Sequence, residues 1–82
     1  MTESYVTQLI TLYETELKRF IEVQDPDIVG ALSLIELQLG TLRQARDRCK
    51  FDDQLYAVNR IARLLGGVAE HLKEKEKTAC SD

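Results

Sequence analysis

The residues equipped for chemistry are few, and their spacing says what they do not build. The single histidine, His71, has Gly67 and Lys75 at i−4 and i+4, so no second ligand stands beside it on a helix and no metal set is expected. Cys49 and Cys80 lie thirty-one positions apart, without CxxC spacing and too few for a disulfide framework. Both are expected as reduced thiols, Cys49 as a small core residue and Cys80 in an exposed tail. A catalytic thiol needs a base in reach, and neither cysteine has one nearby in sequence. The carboxylates fall on polar helix faces, where nothing should shift their pKa values. No GxxxxGK[ST] or GxGxxG phosphate cradle occurs. The expectation is a non-enzymatic protein with no catalytic residue, cofactor or metal.

The remaining candidate is a basic cluster. Arg43, Arg46, Arg48, Lys50, Arg60 and Arg63 place six of the eleven basic residues within twenty-one positions, diluted by Asp47, Asp52 and Asp53. Such a patch could meet nucleic acid, but a formal net charge of −3 and a pI near 5.1 disfavour that partner. An acidic protein surface is the more ordinary complement of these arginines.

The elements that must carry these residues are helical throughout. Val6, Leu9, Ile10, Tyr13, Leu17, Phe20 and Ile21 form one amphipathic stripe, predicting a first helix over about 3–23, capped by Thr2 or Ser4. On its polar face Glu14 and Lys18 are spaced for an i,i+4 pair. Gln24-Asp25-Pro26 then punctuates the chain, with Asp25 as N-cap and Pro26 as first helical residue. A second helix over about 26–49 carries a heptad seam of Ile28, Leu32, Ile35, Leu39, Leu42 and Cys49, with Arg46 in the skipped position. Asp52 and Asp53 offer caps for a third helix over about 53–76, whose stripe is Leu55, Val58, Ile61, Ala62, Leu65, Val68, Ala69 and Leu72. Gly66-Gly67 is expected to be a weak point in a continuous helix. The fold class is all-α: an antiparallel helical hairpin of the second and third helices plus the N-terminal amphipathic helix, forming a three-helix bundle. The domain is expected over 1–77, with 78–82 a disordered tail.

At 82 residues the chain is one small domain that buries a limited share of its surface and gains from a partner. The N-terminus lacks a basic region and is interrupted by Glu3, Glu14 and Glu16, so no signal peptide is expected and the setting reads as cytoplasmic. The longest apolar run, Leu55 to Val58, is four residues, far short of a membrane span of about twenty. Leu34 and Leu37 lie off the second helix's seam, and Leu12, Val23 and Leu64 lie off the others. One neighbour cannot cover so wide an apolar arc: either the second helix lies between two others of its own chain, or one face is left for a different protein. The partner-facing set is Leu34, Leu37, Leu64 and Val68, with Arg43, Arg46, Arg60 and Arg63 as rim contacts. A homodimeric helical bundle is the competing use of the same faces.

Residues 28–72 resemble the small E-component (YscE-like) co-chaperones of type III secretion needles. The likeness lies in a long amphipathic hairpin whose second arm opens with Asp52-Asp53-Gln54-Leu55-Tyr56 and continues with Ile61, Leu65, Val68 and Leu72. The resemblance implies a protein that pairs with a tetratricopeptide-like co-chaperone, the two keeping a needle subunit monomeric before export. The full first helix departs from a bare hairpin, which leaves open a three-helix chaperone of another secretion or flagellar type.

Overall fold

The computed structural model describes the backbone of residues 5–80 and the side chains of residues 5–77. Three helices follow one another: α1 (Tyr5–Val23), a single 3₁₀ turn (Pro26–Ile28) running directly into α2 (Val29–Asp47), and α3 (Phe51–Cys80). The expected caps Thr2 and Ser4 lie outside the described residues. Two antiparallel connections make α1 and α3 run in the same direction, with α2 against both.

Local chemistry sets each boundary. Gln24 takes a left-handed backbone (φ 58°) and donates its N–H to the Ile21 carbonyl at 3.1 Å, ending α1. Asp25 then acts as N-cap, accepting from the Asp27 N–H at 2.9 Å, and Pro26 occupies the first position as the sequence predicts. The second helix begins with a tight turn because this cap holds Pro26–Ile28 in a 3₁₀ conformation. It ends at Asp47, two residues earlier than expected, in a Schellman closure: Lys50 N–H donates to Ala45 O (2.9 Å) and Cys49 N–H to Arg46 O (3.1 Å). Cys49 supplies the left-handed residue (φ 56°) and is exposed, which corrects its placement in the core. Its seam position has no counterpart because the helix has already stopped.

The third helix starts at Phe51, so Asp52 and Asp53 sit in its first turn instead of capping it. It continues unbroken through Gly66-Gly67 to Cys80, so residues 78–80 of the expected tail are helical and 81–82 lie outside the described residues. The Gln54 side chain donates to Ala45 O at 3.1 Å and ties this helix back across the turn.

The core centres on α2. Ile28, Leu32, Ile35, Leu39 and Leu42 are buried as the heptad predicts, but the next position is Ala45, not Arg46, whose long side chain reaches α1. From α1 come Ile10, Tyr13 and Leu17, with Ile21 of the predicted stripe left exposed. The third helix contributes Ala57, Ile61 and Val68, with Leu64 packed beside them. Its predicted single stripe is in fact two. Ala57, Ile61, Leu64 and Val68, spaced 4, 3 and 4, face α2, whereas Leu55, Val58, Ala62, Leu65, Ala69 and Leu72, spaced 3, 4, 3, 4 and 3, lie on the neighbouring edge, half-buried or exposed.

That second edge is only partly covered because α1 and α3 meet only sparsely, although each packs on α2. The backbone envelope of 51 × 25 × 17 Å is accordingly flattened in cross-section. The bundle has an open side.

Two stability measurements check this account. Replacing Ile35 or Ile61, both with no exposed surface, by Ala should cost about 2–5 kcal/mol in denaturant unfolding. Cys49→Gly should instead stabilise by roughly 1 kcal/mol, since only glycine adopts a left-handed backbone freely.

Candidate functional site

The open side has two walls of regular spacing, the one on α3 apolar and the one on α1 apolar except for the Glu16–Arg19 ion pair. On α1, Tyr5, Leu9, Leu12, Glu16, Arg19 and Val23 recur at 4, 3, 4, 3 and 4 along one edge; Leu12 and Val23 are about half exposed, at 53% and 51%. On α3 the facing wall is the edge from Leu55, itself 48% exposed, to Leu72. At the far end the walls converge into one cleft lined by Arg19, Phe20, Val23, Leu72, Lys75 and Glu76. Repeats of 3 and 4 on two parallel helices are the seams that a further helix fills in a bundle. The Glu16–Arg19 pair within the α1 wall and Glu76 at the far end give such a helix polar contacts beside the apolar ones.

The residues expected to face a partner do not form one surface. Arg43 and Arg46 turn toward α1, where Arg43 bonds the Glu14 carboxylate and Arg46 lies 3.4 Å from the Thr7 hydroxyl. Glu14 is therefore drawn across to α2, not to Lys18 in its own helix as its spacing suggests. Arg60 and Arg63 are on the other side of the hairpin, Arg60 resting 5.9 Å from the centre of the Tyr56 ring. Arg63, Leu64 and Val68 do line a common cleft with Ala31 and Gly67, but Val68 is only 3% exposed and belongs to the core. Its spacing of seven from Ile61 places it on the same inward stripe, which corrects its assignment to the surface. Leu34 and Leu37 are exposed on α2 as expected.

One cluster was not foreseen. Asp25 is buried, and Lys75 reaches it from four turns beyond Ile61 on α3, its Nζ donating at 3.0 and 2.9 Å to the two carboxylate oxygens. The same ammonium lies 3.1 Å from Asp27 Oδ2. The Lys75 ammonium and the Asp27 N–H hold the Asp25 carboxyl below the ordinary carboxylate value, against the opposing effect of burial. Asp25 and Asp27 in turn raise Lys75. This corrects the expectation that no carboxylate would be shifted. Its signal was hidden because Asp25 and Lys75 are fifty positions apart and meet only once the helices pack.

His71 completes the cluster, with Nε2 at 3.7 Å from Asp25 Oδ2 and 3.8 Å from Asp27 Oδ2. Asp25, Asp27 and His71 bring one ligand atom each within 4.8 Å. The place a cation would take between the carboxylates is filled by the chain's own ammonium. Both shifts favour the charged forms, the direction an ion pair needs and the opposite of what a lysine nucleophile or an aspartate base needs. The cluster's chemistry is that of a clasp joining the α1–α2 turn to α3.

Compared with known protein families, curated proteins and solved structures, the chain matches none. Among the described residues no helix is long and apolar enough to cross a membrane.

The clasp has a pH window. Asp25, lowered from 3.8, contributes above that value and loses its contribution as pH falls through its folded pKa; Lys75, raised from 10.5, contributes below that value and loses its contribution as pH rises through its own. Asp25→Asn keeps the cap and removes the charge. It should lower the Tm at neutral pH, and the difference from the parent chain should vanish in strong acid; an equal difference at every pH would contradict the clasp.

Proposed function

We propose that the protein is a non-enzymatic binding module that receives an amphipathic helix of another protein in the open side between α1 and α3. The observation that carries this reading is the pair of 3–4 seams standing side by side without a helix between them. Elsewhere the chain buries such seams: α2 is covered from both sides, and the inward stripe of α3 is closed. Since α1 and α3 touch at only a few positions, their two seams flank a groove over which a further helix can pack. Burial of Leu12, Val23, Leu55 and Leu72 against it supplies the affinity, in the helix-in-groove manner.

The resemblance to the E-component co-chaperones gives this partner its most specific form. The occupant would be a helix of a tetratricopeptide-like co-chaperone, the complex holding a type III secretion needle subunit monomeric in the cytoplasm. A core left incomplete by the chain alone suits a protein that works only in a complex.

Affinity purification of the tagged chain from its native cells, with nuclease present, tests the reading against Leu12→Glu with Leu55→Glu. Both residues are half exposed, so helicity should be unchanged by circular dichroism. The parent chain should retain a helical-repeat protein together with a small secreted subunit, and the variant should lose both, a weakening of at least about a hundredfold for two buried charges. Equal recovery by the two chains would refute the groove as the docking site.

A further inference from the structure

The opposite edge of α3 carries a pattern that the groove does not use. Tyr56, Arg60, Arg63, Gly67, Glu70, Glu74 and Lys77 recur at 4, 3, 4, 3, 4 and 3, so they form one stripe along the side of α3 that borders α2, away from α1. The charges on this stripe are sorted. Arg60 and Arg63 occupy the half before Gly67, and Glu70 and Glu74 the half after it. Among the described residues neither Arg60, Arg63 nor Glu70 makes an ion pair, and i,i+7 spacing keeps Arg63 and Glu70 two turns apart on their own helix.

We infer that this edge pairs with the same edge of a second copy of the chain, α3 against α3 in antiparallel fashion about a two-fold axis at Gly67. Reversing the stripe about Gly67 sets Arg63 against the second copy's Glu70, Arg60 against Glu74, and Tyr56 against Lys77, each match holding to within one residue. Every contact then occurs twice, as an isologous interface requires. The pattern fits its own reverse and not its own parallel copy, in which arginines would face arginines.

Gly67 fits the axis. A Cβ built there meets nothing within 4 Å, as at Gly30, Gly40 and Gly66, so no packing within the chain requires glycine, although glycine costs about 1 kcal/mol against alanine inside a helix; Gly67 is the one of the four at the centre of the stripe. A second backbone crossing at that point does benefit from the missing side chain. The apolar part of the interface comes from the adjoining edge of the hairpin. Ala31 and Leu64 share a cleft with Gly67, and Leu34, one turn on from Ala31 along α2, is exposed beside it. Leu34, Leu64, Arg60 and Arg63, four of the residues expected to face a partner, thus belong to a self-association surface, distinct from the α1–α3 groove.

Sedimentation equilibrium of the purified chain, over about a hundredfold range of concentration, tests the pairing without any other protein. The parent chain should approach twice 9.4 kDa. Arg63→Glu and Glu70→Arg should each weaken self-association by at least about tenfold, because each puts like charges opposite one another at two places. The two single variants mixed in equal amounts should form a heterodimer, and the double variant should again form a dimer of its own. Gly67→Leu should retain helicity and lose the dimer. A parent chain that stays monomeric, or single reversals that leave its mass unchanged, would overturn the inference; so would single reversals that are not rescued by mixing. A failure here leaves the groove reading intact, since none of these positions lies in it.

Discussion

The controlling constraint is that, among the described residues, α2 packs extensively on both other helices while α1 and α3 meet only sparsely. Its buried residues, from Ile28 to Ala45, fill the space between α1 and α3, and those two outer helices are held in place by α2 more than by each other. The inward seam of the central helix is therefore fully buried, whereas Val29, Leu34 and Leu37 on its outer face and the edges of the flanking helices stay exposed or half exposed. What the chain does with its surface follows from this imbalance. Apolar seams that a fourth helix would close remain half exposed on α1 and α3.

Electrostatics reinforces the arrangement at its two ends. Near the α1–α2 turn, Lys75 ties α3 to Asp25, and the same aspartate caps the turn. Along the flank, Arg43 reaches from α2 to Glu14 on α1. That second pair is partly solvated and contributes under about 1 kcal/mol, so it orients α1 without fastening it. The Asp25 clasp is the more constrained of the two because the carboxylate is buried and its bonds come from both turn and helix. It fixes the end of α3 beside the end of α1, which is where the two walls of the open side converge.

Much of this was legible in the residues. Helix number, order and the break at Asp25-Pro26 follow from periodicity and capping chemistry, because both act within a few positions of the chain. The α2 seam was readable up to Leu42 and then misread, since a heptad template continues to Arg46 and Cys49 whereas the helix closes through Cys49 in a left-handed turn that its residue type does not announce. The stripe of α3 was recognised but not divided. Leu55 and Ile61 look alike to a periodicity argument, and only the position of α2 decides that Ile61 is buried and Leu55 is not. The basic cluster likewise dissolved on folding, because Arg43 and Arg46 lie on the α1 side of the hairpin and Arg60 and Arg63 on the other. Asp25 with Lys75 had no local signal at all, for contacts between positions fifty apart leave none.

The central claim is that the open side between α1 and α3 is where another protein's helix docks. Photo-crosslinking in native cells tests it most directly, with a photoreactive residue placed at Ala62, exposed on the open edge of α3, or at Gln44, exposed on α2. The account predicts a cross-linked heterologous product from position 62 and none from position 44. Equal products from both positions, or none from position 62 when the partner is present, would contradict it.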